Sequence, residues 1–265
     1  MRFDIDRLQA FYGSSLGQMA LEQVARRVGA LWAHADGLDV LGFGYADGLL
    51  ERYRPTARRV VSAHPDEQGA IRWPSDGKGL SVLTEEERLP FQDALFDRII
   101  VCHGLEEAES PQRLLREFWR VAAPEARILI IAAHRRGLWA RAESTPYGHG
   151  RPYTRSQLNR LLEEAMFLPS ASARALYAPP IGWGLITSAG EAWERIGRFA
   201  WAGFGGVLMI EAQKRLYIEP GKPARVRKVV RAPVKRPARE QLGRGQAGQT
   251  PSERNLAGQV DSQPE

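Results

Sequence analysis

The residues best suited to chemistry begin with one glycine turn. The segment from Leu38 runs Asp-Val-Leu into Gly42-Phe43-Gly44-Tyr45-Ala46-Asp47-Gly48. Small residues at Gly42, Gly44 and Ala46 let the backbone approach a ligand closely. A helix starting there would favour a polar or anionic group at its N-terminus. The same residues also read as a plain tight turn. A dinucleotide phosphate fingerprint needs glycine where Asp47 stands, which disfavours a nicotinamide dehydrogenase. His103, in Cys102-His103-Gly104, reads either as a hydrogen-bonding residue at a strand end or as a general base. Cys102 is the single cysteine, so an intramolecular disulfide and a cysteine-based zinc site are both excluded. Aromatic residues around Tyr177 to Ile186, with Trp193, Phe199 and Trp201, read as core and lid packing or as the lining of an apolar pocket.

Regular elements must hold these residues. Apolar residues Leu16, Met19, Ala20, Val24, Val28 and Leu31 recur at three and four, which predicts an amphipathic helix over 15–33. Leu38–Phe43, Arg59–Ala63, Phe96–Cys102 and Arg127–Ala133 are short apolar runs of the kind that form buried strands. Ala46–Arg54 and Pro111–Ala122 read as helices between them, with Pro111 in a first turn where its missing N–H costs nothing. Alternating strands and helices predict a parallel sheet covered on its faces. Later, Thr154 and Gln157 form a capping-box pattern, as do Ser188 and Glu191. Arg174–Tyr177 and Gly206–Lys214 are the remaining strand candidates.

A longer pattern joins these parts. Leu89-Pro90-Phe91 precedes a Phe96-Asp97 strand, then Leu105-Glu106, then a helix with Arg116-Glu117, then Arg120-Val121-Ala-Ala-Pro124-Glu-Ala-Arg127. Together they resemble the small type 11 branch of the class I S-adenosylmethionine-dependent methyltransferases, over about residues 38–135. The resemblance implies a three-layer α/β sandwich with a mostly parallel twisted sheet, the Rossmann-like methyltransferase fold. S-adenosylmethionine is its implied cofactor, with Gly42, Gly44, Ala46, His64, Glu85 and His103 as implied cofactor-binding residues. Gly42, Gly44 and Ala46 match the family's Gly-x-Gly-x-Gly. The family's acidic residue two positions earlier is replaced by Val40. A ribose-binding carboxylate is expected at the end of the second strand, where this chain has His64. A histidine cannot chelate a diol as a carboxylate does, so His64→Asp or His64→Glu is expected to tighten binding. Glu85 fits the acidic position facing the adenine amino group, and His103 borders the methyl-donor pocket. Gly44→Val is expected to abolish binding and spare the fold. Methyl transfer from a sulfonium needs no obligatory acid or base, since positioning supplies most of the rate. No catalytic residue and no metal ligand set is assigned.

Charge divides the chain. Lys and Arg number 37 against 31 Asp and Glu, a net charge of +6. Residues from 221 onward hold 10 basic and 4 acidic side chains, so they carry the whole excess. The sequence therefore predicts a methyltransferase-like domain over 1–218 and a disordered, Pro/Gly/Gln-rich basic tail over 219–265. Composition alone therefore does not make the whole protein a basic nucleic-acid binder. Truncation after Pro220 is expected to leave thermal stability nearly unchanged. No apolar run is long enough to cross a bilayer, no signal peptide opens the chain, and the protein reads as cytoplasmic. Two functions from different classes fit. One is methyl transfer to an unidentified small-molecule acceptor, an apolar one among the candidates. The other is an inactive scaffold of the same fold, with the tail contacting RNA, anionic lipid or an acidic protein.

Overall fold

In the computed structural model, residues 3–182, 193, 204–216 and 227–228 are described. The predicted second capping box and most of its helix therefore lie outside the described residues, as does the tail except for Arg227 and Lys228. The chain order is α1 (Ile5–Gly13), α2 (Ser15–Leu31), β1 (Asp39–Gly44), α3 (Asp47–Leu50), β2 (Arg59–Pro65), β3 (Ser81–Thr84), β4 (Phe96–Cys102), α4 (Pro111–Val121), β5 (Ala122–Ala133), α5 (Arg155–Glu164), β6 (Phe167–Ala175), β7 (Val207–Lys214) and β8 (Arg227–Lys228). The sheet order is β3-β2-β1-β4-β5-β7-β6-β8. Strands β1 to β5 pair in parallel, and β7 runs antiparallel to both β5 and β6. The expected mostly parallel, doubly covered sheet is what the chain builds.

Parallel strands buried on both faces explain the continuous apolar runs. β1 is buried at every position. Val40, Ile100, Leu129 and Met209 face α2 and α3, while Leu41, Ile99, Ile130 and Ile210 face α4 and α5. Thr154 and Gln157 close the predicted capping box on α5. Ser14 caps α2 through Gly17 N–H.

Three elements escaped the sequence pattern. α1 has nine residues and buries only Leu8 and Phe11 among its apolar side chains, too few for a visible stripe. β3 has four residues, of which only Thr84 is buried. β6 begins at Phe167 rather than Arg174, because Pro169 and the small residues after it disguise an alternating edge strand. The pairing with β7 shifts register between Pro169 and Ala171, which absorbs the proline's missing N–H.

Within the stretch expected to be a tail, Arg227 and Lys228 pair with Ala171 and Ser172 on the outer edge of β6. Truncation after Pro220 removes this pairing, so a small loss of thermal stability is expected in place of an unchanged melt. An edge pairing this short contributes about 1–2 kcal/mol, which lowers Tm by about 2–8 °C in a domain of this size. Scanning calorimetry of the two chains measures it, and superimposable melts would dissociate β8 from the sheet.

Candidate functional site

The strand order reverses between β1 and β4: the chain leaves β1 toward β2 and β3, then returns to β4 on the other side. In open parallel sheets a crevice forms at such a switch point, beyond the carboxyl ends of the strands. Gly44 ends β1 and Cys102 ends β4, paired in register. The Tyr45 N–H donates to Cys102 O at 2.7 Å. Gly44 has φ +81°, and a Cβ there would strike the Cys102 carbonyl oxygen and lie 2.9 Å from His103 C. A side chain at Gly44 thus meets neighbouring backbone rather than open ligand space, which overturns the expectation that Gly44→Val spares the fold.

The other predicted residues fall as follows. Ala46 is fully buried at the start of α3, where its carbonyl accepts the Leu49 and Leu50 amides. Gly42 lies inside β1, where a Cβ would press on Leu50 and Ala46, so its missing side chain seats α3. β1 ends at Gly44 and α3 begins at Asp47, so the turn itself is Tyr45-Ala46. His64 is completely buried near the end of β2, with Nε2 3.3 Å from Ser62 Oγ and 3.5 Å from Asp47 Oδ1. Glu85 is exposed just past β3, in a bridge with Arg88. Gly44, Ala46, His64 and His103 therefore gather at one end of the sheet, with Glu85 on its rim and Gly42 within a strand.

His103 leaves β4 with φ +51°. Its Nε2 lies 2.6 Å from the Tyr12 hydroxyl, which is 2.9 Å from the Tyr147 hydroxyl. Tyr12 stacks on Tyr45 with centroids 5.1 Å apart, and the His103 and Tyr147 rings are 4.6 Å apart. Burial pushes the His103 imidazole down to about 3 and raises both the Tyr12 and Tyr147 phenols well above their usual range. The Cys102 thiol is likewise raised, by burial and then by Glu106. At neutral pH this is a cluster of uncharged hydrogen-bonding groups. Sequence reasoning missed Tyr12 and Tyr147, which lie 91 residues before and 44 after His103; nothing local marks them. Asp47 appeared in the sequence only as a misfit in a fingerprint. Here it is 4% exposed at the first turn of α3, and neither carboxylate oxygen has a hydrogen-bond partner. His64 Nδ1 and Gln68 Oε1 are also buried and unpartnered.

The Leu89-Pro90-Phe91 turn has a structural cause. Arg120 donates to Leu89 O and to Phe91 O, both at 2.8 Å, while Glu117 accepts the Leu89 N–H at 2.9 Å. One arginine on α4 thereby clamps the loop that leads into β4.

Comparison with known proteins follows this geometry. Residues 38–130 match a family described as methyltransferase domain. No curated protein matches the chain. Among solved structures, a Thermotoga maritima S-adenosylmethionine-dependent methyltransferase, described as a possible histamine N-methyltransferase, superposes with TM-score 0.58 at 13% identity. That match covers 80% of this chain and 96% of the other. A Haloferax volcanii putative methyltransferase, solved with the Trm112 methyltransferase activator, gives 0.56 at 16% identity over 80% and 99% of the two chains. The geranyl diphosphate C-methyltransferase of Streptomyces coelicolor, solved with S-adenosyl-L-homocysteine, gives 0.51 at 14% identity over 72% and 77%. At such identities the likeness establishes the fold.

Two outcomes follow for this cluster. Gly44→Val combines an unfavourable φ with a backbone clash, so it should cost roughly 2–6 kcal/mol in urea denaturation; wild-type stability would mean that the β1 exit can relax. For His103, the unfolded imidazole titrates near 6.5 and the folded one at about 3, so the unfolded chain takes up the proton first as pH falls. Its stabilising effect is intact above about pH 6.5 and is lost progressively toward pH 3, by up to about 1.4 kcal/mol per pH unit. Because asparagine tolerates a positive φ, His103→Asn should flatten that dependence between pH 7 and 4.5. Parallel pH profiles for the two chains would assign the loss to other groups.

Proposed function

We propose, for a chain that carries the methyltransferase domain over residues 38–130 on the fold of the class I S-adenosylmethionine-dependent methyltransferases, that it binds S-adenosylmethionine at the carboxyl ends of β1, β2 and β4 and transfers the methyl group to a small-molecule acceptor. The observation that carries this reading is the unpartnered buried carboxylate of Asp47, 3.5 Å from His64 Nε2, just after the Gly44 turn, with the likewise unpartnered Gln68 Oε1 on a side chain that donates to His103 O. Buried polar groups are normally paired, so these fit a ligand rich in hydroxyl and amino groups. When bound, the cofactor supplies an activated methyl group on a positive sulfonium.

In this reading the backbone from Gly44 to Ala46 borders the cofactor and His64 lies under its ribose end. Glu85, exposed on the rim, would accept from the adenine amino group. Gly42 keeps a packing role. His103, held uncharged by burial, orients the Tyr12 hydroxyl and takes no proton at neutral pH. Rate then comes from alignment and exclusion of water. A groove of about 610 Å³ lined by Phe3, Arg7, Phe11, Leu16, Ser144 and Pro180 runs along α1, and Phe11 adjoins the tyrosine cluster through Tyr147, with ring centroids 6.4 Å apart. It suits an acceptor with an apolar body and a polar end.

A second reading, an inactive scaffold of the same fold, draws on the tyrosines: Tyr12 and Tyr147 pack directly against His103, where the donated methyl group would face. The basic tail would then be the contact element for RNA, anionic lipid or an acidic protein. Among the described residues no helix is long and apolar enough to cross a membrane.

Calorimetric titration of the full chain with S-adenosylmethionine and S-adenosylhomocysteine should give saturable binding at one site per chain. Absence of heat with both ligands, in folded protein, overturns the cofactor reading. Binding of both without turnover on any acceptor panel favours the scaffold.

A further inference from the structure

We infer that Asp47 carries the carboxylate that the end of β2 lacks, so that the ribose diol of the cofactor is held from the first turn of α3. This rests on the reading of the site as an S-adenosylmethionine site.

Four carboxylates are buried among the described residues: Asp39, Asp47, Glu106 and Glu211. Three of them hold donors. Asp39 takes both arms of Arg58, at 3.0 and 2.6 Å. Glu106 accepts the Ala133 N–H at 2.9 Å. Glu211 accepts from Trp32 Nε1 at 3.0 Å and Arg127 at 2.8 Å. Asp47 alone has no hydrogen bond on either oxygen. A buried carboxylate without donors is costly, and proteins rarely retain one that nothing satisfies. The nearby His64 Nε2, at 3.5 Å, stands too far off for a good hydrogen bond, so donors from outside the protein would complete the carboxylate.

Position identifies their chemistry. β2 ends at Ser62-Ala63-His64-Pro65, and Asp47 Oδ1 reaches to 3.5 Å from His64 Nε2. The carboxylate thus arrives at the residue where a β2 acid is missing, delivered from the neighbouring strand's turn. Two adjacent hydroxyl groups offer two donors to the two oxygens of one carboxylate, and hydrogen bonds to a charged acceptor are the strong ones. His64 Nδ1 and Gln68 Oε1 are also buried and unpartnered, and Gln68 is fixed at the same end of the sheet by donating to His103 O at 3.2 Å. A metal ion is a poorer occupant, since no group of three His, Cys, Asp or Glu side chains able to hold one occurs among the described residues.

The assignment reverses the expectation for His64. A second carboxylate at His64 stands beside the first, where like charges oppose each other, so His64→Asp alone should not tighten binding. The test is a calorimetric cycle with S-adenosylhomocysteine and its 2′-deoxy analogue on the wild-type chain, Asp47→Asn, His64→Asp and the double variant, with a thermal melt of each. Asp47→Asn should weaken S-adenosylhomocysteine binding by about 10- to 100-fold and erase discrimination against the 2′-deoxy analogue. Its Tm should not fall, because asparagine keeps the shape and the carboxylate has no hydrogen bond within the protein to lose. The double variant should recover at least ten-fold over Asp47→Asn, since the carboxylate returns from the β2 side. If the wild type binds but Asp47→Asn matches it in affinity and discrimination, the assignment falls and the cofactor site stands. An Asp47→Asn melt several degrees lower, with Asp47→Ala retaining affinity, would make Asp47 a structural residue and also overturn it. A wild-type chain that binds neither compound overturns the site reading, and the assignment with it.

Discussion

How closely β1 can lie beneath the exit of β4 governs the carboxyl end of this sheet. At Gly44 the β1 backbone turns with φ +81° directly against the Cys102 carbonyl and the His103 backbone, and the Tyr45 N–H closes the contact on Cys102 O. No side chain fits between these two backbones. Because the strands diverge into opposite crossovers there, the lock fixes the turn, the start of α3 and the orientation of His103 together. Gly42 extends the constraint one turn inward by letting Leu50 of α3 sit on the sheet.

α1 makes its contacts at this end. The Ile5 N–H donates to Gln68 O, the Phe3 N–H meets the Glu107 carboxylate, and Tyr12 reaches His103. Residues distant in sequence are thereby drawn over the carboxyl ends of the strands, where dense tyrosine packing excludes water. The charge state of His103 is a consequence of that packing, since burial alone displaces it.

Elsewhere single buried atoms such as Trp119 Nε1 and Asn159 Oδ1 lack a hydrogen-bond partner, while other buried polar groups have partners with a visible structural purpose. Lys214 donates to Ala122 O at 2.7 Å and lies 4.0 Å from the Trp119 ring centroid, tying the end of β7 to the start of β5. Arg120 and Glu117 fix the loop before β4. Against that background the unsatisfied oxygens of Asp47 mark a place where folding alone does not complete the hydrogen bonding, and function commonly occupies such places.

The strands β1, β2, β4, β5 and β7, the helices α2, α4 and α5, and the glycine turn were legible in the sequence, because each rests on local periodicity, capping or a run of apolar residues. α1, β3 and most of β6 were not: they are short or half-exposed, and Pro169 masks the last. The Leu-Pro-Phe turn was recognisable as a pattern, yet only the structure supplied its cause, the Arg120 clamp across 29–31 residues. The site divides the same way. Residue type placed Gly44, Ala46, His64 and His103 at strand ends. Whether Gly44 faces ligand or backbone, that Tyr12 and Tyr147 seal His103, and that Asp47 comes to rest beside His64 were decided by strand register and crossover. Those set distances between residues far apart in the chain, and local spacing holds no record of them.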